Sequence, residues 1–134
     1  MNTDQRSLKH LLIYRLALEL EDKTFALAKV VMQLNEDDFW NYGNDLYRAS
    51  AAVAGHIAQA HRLYSYQHKI DELAAARQEA QAVMRLLRHV EPAETVEFLS
   101  EGYKGLMKQA GALEWWLQGR LQGFNDEWLR TRPK

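Results

Sequence analysis

The chain contains no cysteine, which excludes disulfides and thiolate metal sites. Cysteine-free composition also suits a reducing cytoplasm, which is the expected location. Proline occurs only at Pro92 and Pro133. Since an interior proline costs a helix ~3 kcal/mol, this scarcity leaves most of the chain open to helix. No apolar run approaches the ~20 residues needed to span a bilayer; the longest, Leu11 to Leu20, is broken by Arg15 and Glu19. The N-terminal MNTDQRSLKH has no apolar core of the signal-peptide kind. No glutamate is followed three residues later by a histidine, so the helical-bundle di-iron pattern is missing. There is no glycine-flanked serine elbow and no Gly-Lys-Ser phosphate loop. His56 and His61 are five residues apart and point in different directions on one helix. Glu97 and Glu101 read as a solvated helix face. No metal, no cofactor and no catalytic residue is expected.

What the chain does have is helical periodicity. Four apolar stripes step by threes and fours. The first is Ile13, Leu16, Leu20, Thr24, Leu27, Val31, Leu34, and the second is Leu46, Ser50, Val53, Ile57, Ala60, Tyr64. The third is Ile70, Leu73, Arg77, Ala80, Met84, Leu87, and the fourth is Val96, Leu99, Tyr103, Leu106, Ala110, Leu113, Leu117. The breaks are short. Asn35-Glu36-Asp37-Asp38 offers capping side chains, Ser65 can cap a third helix, and Glu91-Pro92 suits the start of a fourth. Helices are predicted near residues 8–34, 38–63, 66–90 and 93–122. Short links force antiparallel neighbours, so the expected fold is an all-α, up-down-up-down four-helix bundle over residues 1–122. Gly123 is expected to stop the fourth helix. Residues 123–134 then form a tail, whose Phe124, Trp128 and Leu129 dock on the bundle or on a neighbouring subunit.

At 134 residues, the chain fits one domain. Its formal net charge is −1, but the charge is segregated. Residues 19–45 are mostly acidic. Residues 46–90 carry Arg48, Arg62, Lys69, Arg77, Arg85 and Arg88 against Asp71, Glu72 and Glu79. Such asymmetry marks either a polyanion-binding face or helices that pair with one another. Arg77 falls on the third seam, where an unpaired guanidinium is prohibitive, so it must snorkel, pair with a carboxylate or reach another chain. Gly102, Gly105, Gly111 and Gly119 each cost the fourth helix ~1 kcal/mol, a cost usually offset by close backbone approach. The second helix is small nearly all round (Ala49, Ser50, Ala51, Ala52, Ala54, Gly55, Ala58, Ala60) and so suits tight contact on more than one side. Trp115, Trp116 and Leu117 are consecutive and span about 200° of helix surface, so at least one tryptophan faces outward. With Phe124 and Trp128 they are the expected self-association surface.

The stretch Leu46-Tyr47-Arg48-Ala49-Ser50-Ala51-Ala52-Val53-Ala54-Gly55-His56-Ile57-Ala58-Gln59-Ala60 resembles the signature of the small "four helix bundle proteins". These are encoded in intervening sequences of bacterial 23S ribosomal RNA genes and are related to the accessory variability determinant proteins of diversity-generating retroelements. Leu46, Arg48, Ala49, Ile57 and Ala58 match that pattern. Ala52 and Val53 stand for its Ser-Ile, Ala54 for its proline, and His56, Gln59 and Ala60 for its Asn, Glu and Gly. The resemblance implies a non-enzymatic bundle that assembles into rings, often pentamers. In the retroelement branch, it implies association with a reverse transcriptase and its template RNA, with Arg48, Arg62, Lys69, Arg77, Arg85 and Arg88 as the phosphate contacts. In the intervening-sequence branch, it implies self-assembly with no nucleic-acid role. Retroelement accessory proteins are basic and this chain is near neutral, so assembly is the part of the expectation that its composition fits better.

Overall fold

The computed structural model describes residues 5–33, 37–63, 65–90 and 94–131, except for the side chains of residues 5–9, 37–40 and 131. Four helices account for nearly all of it: α1 (Gln5–Met32), α2 (Asp37–Arg62), α3 (Tyr66–Leu87) and α4 (Glu94–Thr131). There is no strand among the described residues. Each helix packs on its neighbour in sequence, and α1 meets α4 in the least extensive of the four contacts, so the helices close a four-membered ring around one core.

The core follows the apolar stripes. All seven fourth-helix seam residues, Val96 to Leu117, are buried, as are Leu46, Ser50, Val53, Ile57 and Ala60 of α2. In α3 the seam is rotated slightly from its expected line: Ala76 and Val83 are buried beside Ile70, Leu73, Ala80 and Leu87, while Arg77 and Met84 flank it. In α1, Ala17 and Ala28 join Ile13, Leu20, Thr24 and Val31 in the interior, and Leu16 and Leu27 are half-buried. Small residues allow close helix approach at two places. A Cβ on Gly102 would collide with Leu20, and one on Gly43 would sit 2.8 Å from the Ala28 carbonyl oxygen. Gly55, Gly105, Gly119 and Gly123 have open space instead, and Gly111 has only the Arg77 Cδ at 3.9 Å. The Leu20 side chain seated against the α4 backbone therefore explains Gly102 among the fourth-helix glycines, and the others have no such internal neighbour.

Ser65 caps α3 as expected, its Oγ accepting from the His68 N–H at 3.4 Å. α3 ends at Leu87, three residues short of the predicted end. Gly123 does not stop α4, which runs 38 residues to Thr131. Gly123 has no left-handed φ, so a single glycine costs ~1 kcal/mol and is absorbed. The segment 123–131 is thus a helical continuation rather than a separate tail. At ~1.5 Å per residue α4 is about 57 Å long. The capping role of Asn35-Glu36, the seam positions Leu34 and Tyr64, and the Glu91-Pro92 junction lie outside the described residues.

Candidate functional site

Two surfaces stand out, and both involve α4. The first is its C-terminal half. The buried seam ends at Leu117, with Leu121 half-buried, yet the heptad-like spacing continues through Phe124 and Trp128. Residues 122–130 are all exposed. Trp115 is 78% exposed, Trp128 62%, Leu129 61%, Phe124 53% and Trp116 37%. Phe124 stacks on Tyr66 at the start of α3, with ring centroids 5.7 Å apart, and Arg120 lies 5.5 Å over the Trp116 ring. Phe124 and Trp128 continue the seam face, while Trp115 and Leu129 lie toward the opposite side of the helix, so on the order of 500 Å² of apolar side chain is left in water over the two faces together. The side chain of Trp40 lies outside the described residues.

The second surface is basic. Of the six cations singled out by sequence, two are engaged inside the bundle. The Lys69 Nζ donates to the carbonyls of Ala60 (2.8 Å) and His61 (3.3 Å), closing the C-terminus of α2 where the helix dipole favours a cation. Arg77 makes a bidentate ion pair with Glu114 of α4, its Nη2 donating to Oε1 at 2.7 Å and its Nε to Oε2. Its hydrogen bonding to Glu114 raises the Arg77 pKa above its ordinary value, with burial opposing. Arg77 thus pairs with a carboxylate, one of the three outcomes open to a guanidinium near the seam. Arg48, Arg62, Arg85 and Arg88 are exposed, and Arg48 lies 3.8 Å from Asp45 one turn away. Arg85 and Arg88 share a shallow groove between α3 and α4 with Lys104, Gln81, Met84 and Met107. Sequence reasoning missed Lys104, because only the fold brings it opposite Arg85 and Arg88.

The interior polar contacts have structural roles. Thr24 donates to the Leu20 carbonyl at 2.6 Å and so accepts from the Tyr103 hydroxyl at 2.8 Å. Ser50 donates to the Tyr47 carbonyl and also lies in hydrogen-bonding reach of Tyr103. This junction joins α1, α2 and α4 across an otherwise apolar core. Burial pushes the Tyr103 pKa up to about 12, with hydrogen bonding to Thr24 and Ser50 opposing. The His10 Nε2 donates to the Ile57 carbonyl at 2.7 Å, which ties α1 to α2. The His56 Nδ1 donates to Glu72 at 2.7 Å, which ties α2 to α3. No group of three or more His, Asp or Glu side chains converges among the described residues, and no helix among them is long and apolar enough to cross a membrane.

Comparison with known protein families, curated proteins and solved structures found no match for this chain.

Proposed function

We propose that the protein is a non-catalytic adaptor, an up-down-up-down bundle of antiparallel helices that assembles with copies of itself through the C-terminal half of α4. The observation that carries this reading is the run of exposed apolar side chains on that half: Trp115, Phe124, Trp128 and Leu129. A monomer gains nothing from leaving the seam-continuing pair Phe124 and Trp128 in water, and burial of their roughly 250 Å² is worth about 6 kcal/mol gross at ~25 cal/mol per Å², before the cost of association. The open glycines support the same reading. Gly119 and Gly123 border this surface, weaken the helix and crowd nothing within the chain, so close approach by a second copy gives them a purpose. The four-membered ring of helix contacts and the short links support the antiparallel arrangement.

A ring, with a pentamer favoured, and a reverse transcriptase with its template RNA as the bound partners, follow from the family resemblance. For RNA, the exposed Arg48, Arg62, Arg85 and Arg88 are the contacts on offer. The alternative is a self-assembling structural protein with no nucleic-acid role. Sedimentation tests the assembly: a mass several times 15.6 kDa is expected. The double variant W115E/L129E should return the chain to a monomer with its helix content intact. A wild-type monomer at tens of micromolar would overturn the reading. Fluorescence anisotropy with single-stranded RNA separates the two branches, because phosphate contacts give binding that weakens steeply with salt.

A further inference from the structure

Arg85 stands in the last turn of α3 and Arg88 caps its end. Neither has an ion-pair partner among the described residues. Two guanidiniums three residues apart on one helix repel by a few tenths of a kcal/mol. The dipole of α3 favours cations at this end, but it does not account for Lys104, which sits on α4 and lines the same groove. Lys104 pairs only loosely, at 3.6 Å, with Glu101 on its own exposed face. Three cations from two helices thus line one open groove of about 380 Å³, a volume within the range of small-ligand sites. Its remaining lining is the half-buried thioethers of Met84 and Met107 and the amide of Gln81.

The cationic stretch is short. Beyond Arg88 the neighbouring hollow is lined by Glu97 and Glu101. On the other side of Arg85, the hollow between α2 and α3 is lined by Asp45. A long polyanion leaving the three cations in either direction would run onto carboxylates, whereas a compact anion would not.

We propose that this α3/α4 groove binds a small phosphorylated ligand of the nucleotide class. The phosphoryl oxygens take the forked donors of Arg85 and Arg88 and the ammonium of Lys104, which gives up Glu101. The flat ring lies on Met84 and Met107, whose polarisable sulfurs favour aromatic contact.

The test uses the full chain with methyl-labelled methionine, followed by NMR and calorimetry during titration with adenosine monophosphate, adenosine, inorganic phosphate and a long single-stranded RNA. Adenosine monophosphate should bind with a Kd of about 1 mM or tighter and shift the Met84 and Met107 methyl signals. Phosphate should bind more weakly, and adenosine should not bind. R85A, R88A and K104A should each weaken the nucleotide about tenfold, with unchanged circular dichroism, and R62A should leave its affinity as it was. The proposal is overturned if adenosine monophosphate leaves both methyl signals in place up to about 10 mM. It is also overturned if phosphate alone binds as tightly as the nucleotide. RNA binding that strengthens with length while the nucleotide fails would assign the groove to a polyanion instead.

Discussion

Replacing Arg77 with methionine strips the Glu114 carboxylate of its bidentate partner. Glu114 is nearly enclosed, its side chain 11% exposed, whereas the Arg77 side chain is 40% exposed. The asymmetry sets the magnitudes. Removing one partner of a fully buried pair costs ~3–5 kcal/mol. Water reaches this pair from the arginine side, so R77M should cost about 2 kcal/mol, or roughly 8 °C in Tm for a domain of this size. E114L leaves a guanidinium that can turn into solvent on its flexible stem, so about 1 kcal/mol is expected. The double variant R77M/E114L swaps the pair for apolar packing and should fall within about 1 kcal/mol of wild type. Urea unfolding of all four proteins closes the cycle, with an expected coupling of about 2 kcal/mol. A coupling below about 0.5 kcal/mol, or singles of equal cost that simply add, would refute the account of Glu114 as a buried charge dependent on Arg77.

Leu106→Ala, at a fully buried position on the α4 seam, should lower stability by about 2–5 kcal/mol in chemical denaturation. Gly43→Ala should destabilise, because its Cβ meets the Ala28 carbonyl, while Gly105→Ala has open space and should raise Tm by the helix-propensity gain of about 1 kcal/mol. Alkaline titration should show a lag: Tyr103 and Tyr42 are both pushed to about 12, chiefly by burial. A raised tyrosine pKa leaves stability unchanged below pH ~10, where both states are protonated, and erodes it as the unfolded tyrosine ionises between pH ~10 and ~12. Absorbance at the tyrosinate band should therefore record Tyr42 and Tyr103 late, together with unfolding.

The fourth seam was legible in full, because Val96 to Leu117 repeats without a polar interruption and every member is buried. The third was legible only to within one residue. Ala76 and Arg77 are neighbours, and an alanine gives a weak periodic signal beside a long side chain whose stem can lie along the core edge. The end of α4 was misread at Gly123 because a glycine carries no mark that says whether its φ is left-handed or helical. For the surfaces, the exposed tryptophan was legible, since three consecutive bulky residues cannot share one face. The Arg85–Arg88–Lys104 convergence and the Thr24–Tyr103 hydrogen bond were not, since the latter joins residues 79 apart and no local pattern links such positions.

The distribution of indole rings has a practical consequence. Three of the four tryptophans (Trp115, Trp116 and Trp128) sit on the outer or trailing part of α4, and the core contains none among the described side chains. Intrinsic fluorescence in this protein is therefore a poor witness of folding, because much of its emission already comes from wet rings in the native state. It is instead a built-in reporter of whatever covers α4, so a blue shift on raising the concentration would signal contact between chains without any label being attached.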